Sequence, residues 1–364
     1  MKDRILFIAT FPPPVHGSAV VSQYIKDSTL INDNFQCDYV NLSTSKSMDE
    51  LGKNSPVKIL RLLCALSQTL WKLLRHRYDL CYLAITCHGL GFLKDAPFVL
   101  LCRLFRRKLL IHQHNKGMSY DIDRWPYCFL MPLCYRNARV ILLSWKLYGD
   151  IEKVVPKEKV LICPNGIPSI DYVPCERNNE VTRLFFLSNL IPFKGVYVLL
   201  DALKVLNEQG LNFICDVVGG ETKDISRELF EEEILCRHLE DKVRYWGRKD
   251  GDEKRKVFEN ADIFVHPTMN DCFPLVLLEA MQYGLPIVTT NIGGITDIVK
   301  DEENGIICQA GSSESLAKAL LDLINDKTKM IKMGENGYRM FQKKFTVDNF
   351  EKRLNNIICE VIGE

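Results

Sequence analysis

Two carboxylate residues, Asp271 and Glu279, lie eight positions apart in the sequence, on either side of a mostly apolar run. Pro274 stands just before that run, where a helix tolerates proline because no hydrogen bond is lost there. Gly284 follows the run and suits the left-handed residue that commonly ends a helix. The pattern therefore predicts a helix over Leu275–Gln282, with one carboxylate on the preceding loop and the other about one turn inside the helix.

The amino end of such a helix is suited to binding phosphate. The free N–H groups of Leu275 and Val276 and the helix dipole both favour an anion there. Carboxylates accept hydrogen bonds from sugar hydroxyls, so Asp271 and Glu279 would each hold one sugar ring, at opposite ends of the ligand. A nucleoside diphosphate sugar has this layout. An ordinary amphipathic helix with one solvated glutamate has the same pattern, and the rest of the chain must decide between the two interpretations.

Strands and helices alternate along both halves of the chain. The first half begins with the strand-like run ILFIAT, and the second half repeats the alternation from TRLFFLSNL onward. This order indicates parallel sheets covered on both faces. We therefore expect an α/β protein of two doubly wound, Rossmann-like domains. The expected bounds are 1–167 for the N-terminal domain, 168–181 for a linker, 182–340 for the C-terminal domain and 341–364 for a helix that returns to the N-terminal domain.

Composition favours a folded protein of the cytoplasm. The 364 residues suffice for two domains, and 47% of them are hydrophobic and 26% charged. No apolar run reaches the ~18 residues of a membrane-spanning helix, and the start MKDRILFIAT is typical of a first strand rather than of a signal peptide. The fourteen cysteines include no C-x-x-C pair, which favours free thiols in a reducing compartment.

Basic residues concentrate in 51–110, which holds eleven Lys and Arg against two Asp. The segments 55–80 and 96–110 are also strongly apolar. This combination favours a peripheral contact with an anionic membrane surface, on the inner face of the cytoplasmic membrane. A core helix with solvated basic residues is the alternative. Aromatic residues do not alternate with the charges, which disfavours binding to nucleic acid.

Several segments in tandem resemble one enzyme family. DCFPLVLLEAMQYGLPIVTTNIGGITDIV, with SNLIPFKG, VVGG and ADIFVHPT before it, resembles the signature of the retaining family 4 glycosyltransferases, which have the GT-B fold. In the first half, PPPVHGSA, HQHNKG and CPNGI resemble the family's glycine-bearing loop, its strand end with a histidine and its Asn-Gly before the linker. The resemblance covers nearly the whole chain and implies two Rossmann-like domains facing across a cleft. It assigns the acceptor to the N-terminal domain and the nucleotide sugar to the C-terminal domain.

The resemblance also implies roles for individual residues. Glu279 would hold the ribose and Asp271 the donor sugar, while Lys194 would face the diphosphate and offset the growing charge of the leaving group. His114, at a strand end, would touch the donor sugar, although His112 has the same alternation parity and competes for that role. The residues expected to be catalytic are His114, Lys194 and Asp271. The residues expected to bind the donor are Gly17, Ser188, Asn189, Lys194, Gly219, Arg248, Asp271, Phe273, Leu275, Val276 and Glu279. The residues expected to bind the acceptor are His16 and Gly17.

The sequence departs from the family pattern at two places. Asn189 stands where the family carries an arginine beside the diphosphate, preceded by Ser188 in place of glycine, so Lys194 would act there with less support. Asp271 replaces the commoner glutamate and is about one methylene shorter. These departures leave a catalytically weak, membrane-associated scaffold as an alternative to an active enzyme.

The implied function is transfer of a hexose, with retention of configuration, to a lipid-linked or other glycan during synthesis of a bacterial surface polysaccharide such as capsule, O-antigen or exopolysaccharide. UDP-sugars are expected as donors by frequency alone. No cofactor or metal is expected, because a helix end and a lysine already neutralise the diphosphate. Asp121 and Asp123 form an Asp-x-Asp pair of the kind that binds metal in another transferase fold, but the surrounding sequence disfavours that role.

Other enzyme classes fit less well. An NAD-dependent oxidoreductase needs G-x-G-x-x-G after a strand, and the first strand leads instead to FPPPVHGSA. A nucleotide-sugar epimerase or a sugar phosphorylase shares the two-domain architecture but lacks the acidic pair around the helix. The epimerase remains the alternative among enzymes of this fold.

Overall fold

The computed structural model describes residues 2–45, 55–172 and 179–364. The chain divides into two compact units. The first unit comprises the chain up to Gly166 together with Val347–Glu364, and the second unit comprises Ile167–Thr346.

The first unit is built on a six-stranded parallel sheet. Its strands form because short runs rich in Ile, Leu, Val and aromatic residues are buried on both faces, as parallel sheets require. The strands are β1 (Arg4–Ala9), β2 (Gln36–Asn41), β3 (Leu80–Leu83), β4 (Lys108–His112), β5 (Arg139–Leu142) and β6 (Val160–Ile162). Their order is β2-β1-β3-β4-β5-β6, so the direction of winding reverses beside β1. In doubly wound sheets, ligands bind at such a reversal, beyond the carboxyl ends of the strands.

Helices connect these strands. They are α1 (Gly17–Asp27), α2 (Thr29–Asn34), α3 (Pro56–Arg75), α4 (Gly89–Leu104), α5 (Met118–Asp121) and α6 (Tyr127–Tyr135), with 3₁₀ turns at Trp145–Asp150 and Lys157–Lys159. The side chain of Ser28 caps α2 by accepting a hydrogen bond from Ile31 N at 3.2 Å. Such caps satisfy N–H groups that the helix itself leaves without partners.

The second unit repeats this architecture. Its strands are β7 (Thr182–Leu187), β8 (Phe213–Val218), β9 (Val243–Tyr245), β10 (Ile263–His266), β11 (Ile287–Thr290) and β12 (Gly305–Cys308), in the order β12-β11-β10-β7-β8-β9. All adjacent strands pair in parallel. The reversal of winding lies between β7 and β10, so the loops that leave these two strands lie side by side.

The helices of the second unit are α7 (Val196–Glu208), α8 (Arg227–Leu235), α9 (Gly251–Asn260), α10 (Leu275–Gln282), α11 (Ile295–Ile298), α12 (Ser313–Asn325) and α13 (Lys327–Lys344), with a 3₁₀ turn at Pro192–Lys194. The bounds of α10 agree with the sequence prediction. Gly284, with φ of 65°, follows the end of α10 in the left-handed conformation that glycine adopts without strain.

The C-terminal helix α14 (Val347–Gly363) belongs to the first unit, where it contacts α2 and β4. The expected boundary after residue 340 falls inside α13, which continues to Lys344 in the second unit. No proline or glycine marks the break at 345–346, so the sequence offers no local signal for it. Within the expected linker 168–181, residues 173–178 lie outside the described residues, and the described remainder belongs to the second unit.

One surface of the first unit is unusually apolar. Along α3, Ile59, Leu63, Leu70 and Leu74 recur at helical spacing and are 62%, 53%, 40% and 68% exposed. We call these four residues the α3 apolar stripe. Another face of α3, with Ala65, Thr69 and Leu73, is buried. Within the described residues, no helix combines the length and hydropathy needed to cross a bilayer.

The basic residues of α3 do not all face solvent. Lys72 forms an ion pair with Asp38 at 2.8 Å, and Arg61 donates to the Thr44 carbonyl oxygen at 2.7 Å. The Arg75 guanidinium lies over the Trp71 ring. Lys72 and Arg61 are therefore engaged within the unit, whereas Arg75 is exposed. The exposed surface of α3 is in large part apolar.

Candidate functional site

Two loops of the second unit bring the predicted residues together. Lys194 ends the 3₁₀ turn after β7, and the acidic loop 267–274 follows β10. Gly195 has φ of 82°, and a Cβ at that position would lie 2.0 Å from the Pro267 carbonyl oxygen. Met269 N donates to the Phe193 carbonyl oxygen at 2.8 Å, which ties the loops to each other. Only glycine permits this approach, and the approach places Lys194 beside the acidic loop.

Asp271 is the centre of this cluster. Its Oδ2 accepts hydrogen bonds from Lys194 Nζ at 2.5 Å and from His266 Nε2 at 3.2 Å, and its Oδ1 accepts one from Cys272 N at 3.2 Å. Burial alone would raise the pKa of Asp271, but the hydrogen bond from His266 and the charge of Lys194 outweigh it and lower the pKa to about 2. Asp271 is therefore a carboxylate at any working pH.

His266 is a member of the site that sequence reasoning missed. It ends β10, is 2% exposed, and its carbonyl oxygen accepts a hydrogen bond from Thr289 Oγ1 at 2.8 Å. Its Nδ1 is buried without a hydrogen-bond partner among the described residues. The available signal was its place at a strand end five residues before Asp271, which is the same signal that singled out His114.

Glu279 also has a partner that the sequence did not reveal. Lys254 Nζ, from α9, lies 3.2 Å from Oε1 and 3.1 Å from Oε2 of Glu279. Four residues further along the chain from each partner, the rings of Phe258 on α9 and Tyr283 at the end of α10 stack with centroids 4.8 Å apart and an interplanar angle of 6°. The aromatic stack fixes α9 against α10 and so sets the geometry of the ion pair. No pattern within α9 alone predicts this pairing.

The amino end of α10 has the expected form. Pro274 is the residue before the helix, and Leu275 and Val276 follow it, both partly exposed. Their N–H groups belong to the first turn, which leaves them without partners inside the helix. The ring of Phe273 is buried and packs on Phe345 with centroids 6.0 Å apart, so its side chain stabilises the loop. Its contact with a donor stays a prediction.

The glycine turns of the second unit hold loops together. Gly293 has φ of 57°, and a Cβ there would lie 2.3 Å from the Asp271 carbonyl oxygen. Gly219 has φ of 156°, and a Cβ there would lie 1.8 Å from the Ser188 carbonyl oxygen. Asn189 Oδ1 accepts a hydrogen bond from Gly220 N at 3.0 Å. Ser188 and Asn189 thus anchor the loop of Gly219, and the amide of Asn189 is engaged in that contact.

Arg248 follows β9 and is the least fixed of the predicted donor residues. Its guanidinium Nε lies 3.3 Å from Asp250 Oδ2, with both side chains more than half exposed. An exposed pair of this kind contributes little to stability and leaves the side chain free to move.

The first unit contains its own cavity of about 300 Å³ at the carboxyl ends of β1, β3 and β4. Its lining is rich in hydroxyl groups and includes Thr10, Pro14, His16, Ser18, Ser43, Thr44, Ser45, Ala84, Ile85, Thr86, Lys94, His114 and Asn115. His16 caps α1, since its Nδ1 accepts from Ala19 N at 3.4 Å and lies 3.1 Å from Ser18 Oγ. Gly17 is the first residue of α1. The expected acceptor residues therefore lie at the edge of a polar cavity, with His16 held by the helix it caps.

His112, the last residue of β4, and His114, two residues further on, have different surroundings. His112 is fully buried, and its Nδ1 lies 2.6 Å from the Tyr82 hydroxyl oxygen. His114 lines the cavity, and both of its ring nitrogens are buried without a partner among the described residues. Burial, with a smaller contribution from His16, lowers the pKa of His114 to about 4. A neutral imidazole with a free donor and a free acceptor is suited to a hydroxyl group.

The two aspartates of the Asp-x-Asp pair have separate partners. Asp121 Oδ2 accepts a hydrogen bond from Gly89 N at 2.7 Å, whereas Asp123 forms an exposed ion pair with Lys153. Within the described ranges, no group of three or more His, Cys, Asp and Glu side chains is arranged to hold a metal ion.

The comparisons with known proteins agree on the class of the second unit. The model of the family described as Glycosyl transferases group 1 matches residues 175–340. The capsular polysaccharide biosynthesis glycosyltransferase CapM of Staphylococcus aureus is 28% identical over 198 residues, which are 51% of this chain and 49% of that protein. Sucrose-phosphate synthase from Thermosynechococcus elongatus matches over 100% of both chains with a TM-score of 0.77 and 16% identity. Anabaena Alr3699/HepE in complex with UDP matches over 98% of this chain and 100% of that chain, with a TM-score of 0.74 and 19% identity.

The sequence matches cover only part of each curated relative. The matches cover 60%, 49% and 56% of the length of three curated relatives, so the chain spans about half to three fifths of each. At identities below a quarter, the two solved structures show the fold alone. They confirm the prediction of an α/β chain of the GT-B class with two doubly wound units.

Proposed function

We propose that this chain, which over residues 175–340 matches the model of the family Glycosyl transferases group 1, is a retaining glycosyltransferase of family 4 that moves a sugar from a nucleoside diphosphate sugar to a glycan acceptor. The carrying observation is the set of charged groups around the amino end of α10. Asp271 precedes that end, Glu279 lies one turn inside the helix, and Lys194 donates a hydrogen bond to Asp271.

Each of these groups has a role in the proposed reaction. Lys194 exchanges Asp271 for the diphosphate, because a doubly charged phosphate competes well for a lysine that is 21% exposed. The N–H groups of Leu275 and Val276 hold the same diphosphate. Asp271, ionised at working pH, orients the donor sugar and stabilises the positive charge that develops at its anomeric carbon.

The proposed transfer is a same-face displacement. The acceptor oxygen forms a bond to the anomeric carbon while the bond from that carbon to the phosphate oxygen breaks. The acceptor proton passes to the departing phosphate, and the nucleoside diphosphate leaves. No metal is required, since Lys194 and the end of α10 supply the positive charge that the leaving group needs. His114 takes a sugar hydroxyl in the cavity of the first unit.

The donor is proposed to be a UDP-sugar, supported by the structural match to Anabaena Alr3699/HepE with bound UDP. The acceptor is proposed to be a lipid-linked glycan of a bacterial surface polysaccharide. Relatives named for capsular polysaccharide, colanic acid and amylovoran biosynthesis support this class of product. The α3 apolar stripe supports a peripheral position on the inner face of the cytoplasmic membrane, where such acceptors are displayed.

A two-step experiment tests the proposal. UDP- and GDP-sugars are screened by thermal shift, and the donors that stabilise the protein are assayed for transfer to lipid-linked glycans. We expect a product whose anomeric configuration, measured by NMR, equals that of the donor. Asp271→Asn should abolish transfer, while the control Asp241→Asn, an exposed aspartate of the same unit, should not. Transfer with inversion refutes the retaining assignment, and full activity of Asp271→Asn refutes the site.

A catalytically weak scaffold is the second candidate. The observation that favours it is that residue 189 is an asparagine, so it brings no guanidinium to the diphosphate, and its Oδ1 accepts a hydrogen bond from Gly220 N. Isothermal titration with UDP and GDP distinguishes the two. Binding of neither nucleotide favours the scaffold, and micromolar binding of either favours the enzyme.

A further inference from the structure

The ion pair between Lys254 and Glu279 has a consequence for the choice of nucleotide. Both oxygens of the Glu279 carboxylate lie within 3.2 Å of Lys254 Nζ. Among the residues that the structure describes, no other hydrogen bond to this carboxylate is found. A carboxylate has about four lone-pair sites, two on each oxygen. The ammonium group occupies one site on each oxygen and leaves one site free on each.

Two free acceptor sites on adjacent oxygens match the two hydroxyl donors of a vicinal diol. We infer that Lys254 is the positioning residue that fixes Glu279 for the cis-diol of a ribose, so that the site selects ribonucleotides over 2′-deoxyribonucleotides. This inference rests on the proposed function, in which Glu279 holds the pentose of the donor. A monohydroxyl pentose leaves one of the two oriented acceptor sites without a donor.

The surrounding packing makes the geometry rigid. Lys254 and Phe258 are one turn apart on α9, and Tyr283, four residues after Glu279, is the residue that directly follows α10. The stack of Phe258 on Tyr283 holds these two helix faces in register, and Phe258 and Tyr283 are only 1% and 5% exposed. The side chains of Lys254 and Glu279 are themselves 30% and 23% exposed, which leaves the carboxylate accessible to a ligand.

The positive charge of Lys254 supports its role as the residue that positions Glu279. A lone Glu279 would repel a diphosphate bound at the amino end of its own helix. Lys254 cancels that charge without competing for the phosphates, because it is held on the carboxylate by two contacts. Loss of Lys254 therefore frees the Glu279 side chain to rotate and exposes the diphosphate to an uncompensated negative charge.

The test measures dissociation constants for UDP and 2′-deoxy-UDP by isothermal titration, with GDP and 2′-deoxy-GDP as the second pair. For the wild type we expect at least about tenfold preference for the ribonucleotide, the effect of one hydrogen bond to a charged acceptor. Lys254→Met and Lys254→Ala should weaken ribonucleotide binding and reduce the preference to less than about threefold. Lys254→Arg, whose fork bridges both oxygens, should retain it. The matched control is Lys256→Met, an exposed lysine on the same helix, which should behave as the wild type.

Each outcome decides the question. If the preference for the ribonucleotide is unchanged in both Lys254→Met and Lys254→Ala, the inference is overturned while the proposed function stands. This holds even if the affinity for both nucleotides falls equally, because loss of a merely structural lysine would produce that result. Failure of the wild type to bind either UDP or GDP overturns the proposed function and this inference with it. Two variants at Lys254 are used so that poor folding of one does not leave the result dependent on it.

Discussion

We expect replacement of Lys194 by methionine to reduce sugar transfer strongly and to reduce the stability of the folded protein only slightly. Lys194 Nζ lies 2.5 Å from Asp271 Oδ2, and their side chains are 21% and 15% exposed. Methionine keeps the length and the apolar stem of the side chain but removes the charge. In the folded protein, Asp271 then keeps only the hydrogen bonds from His266 and from Cys272 N.

The pKa of Asp271 gives the scale of the cost in stability. Burial opposes ionisation of Asp271, yet His266 and Lys194 together lower its pKa from 3.8 to about 2. At 1.36 kcal/mol per pKa unit, that shift corresponds to about 2 kcal/mol of stability at neutral pH. His266 accounts for part of it, so Lys194→Met should cost about 1–2 kcal/mol, or about 3–6 °C in melting temperature. Because the folded-state pKa is the lower one, this stabilisation is present above about pH 4 and is lost as pH falls through about 2.

The effect on turnover should be much larger. Removal of one preorganised positive group from a developing negative charge costs on the order of 10²–10³ in kcat. Transfer is measured as nucleoside diphosphate release with saturating donor, and stability by thermal melts at pH 7. The matched control is Lys204→Met, which breaks an exposed i,i+4 pair with Glu208 in the same unit and should change stability by less than about 0.5 kcal/mol.

Two results would refute this reasoning. Turnover of Lys194→Met within about threefold of the wild type would show that the lysine does not act on the leaving group. A fall in melting temperature of more than about 10 °C would show that the pair is chiefly structural, and the loss of activity could then not be assigned to chemistry.

Three further predictions concern other parts of the chain. Gly195→Ala should destabilise the second unit by several kcal/mol in urea unfolding, because its Cβ would meet the Pro267 carbonyl oxygen at 2.0 Å; a change below about 1 kcal/mol contradicts the role given to this loop. His114→Gln should lower kcat but leave the pH profile of kcat unchanged between about pH 5 and 8, because a pKa of about 4 keeps this imidazole neutral there. The wild type should lose stability as the pH falls from 6.5 towards 4, because the imidazole is protonated more readily in the unfolded chain, and the variant should lose less. Leu63→Ser with Leu70→Ser should reduce flotation with both neutral and anionic vesicles, because the α3 apolar stripe is exposed while Lys72 is paired internally; unchanged recovery of this double variant on both kinds of vesicle excludes the stripe as the contact.

The sequence alone determined the features that depend on neighbouring residues. The bounds of α10 follow from Pro274, an apolar run and Gly284, all within about ten positions. The two doubly wound sheets follow from the alternation of buried strands with helices, which is a local periodicity repeated along the chain. That Lys194 and Asp271 serve one donor site was implied by the resemblance to a glycosyltransferase family and not by the strand pattern.

Only the tertiary structure decided how the site is held. Asp271 is bonded to Lys194, 77 positions away, and Glu279 to Lys254, 25 positions away. Asn189 Oδ1 accepts a hydrogen bond from Gly220 N, 31 positions away. Side-chain partners across such separations depend on the register of strands and the packing of helices, which no local pattern encodes.

Dependence on packing also explains why the sequence did not predict the contacts of the α3 charges or the position of the boundary between the two units. The charges of α3 were counted correctly, but their use in contacts such as that of Lys72 with Asp38 depends on how α3 packs on the sheet. The chain passes from one unit to the other between α13 and α14, at a point without proline or glycine. Sequence fixes which residues can form a helix or a strand, whereas the partner that each side chain meets is set by packing of the whole unit.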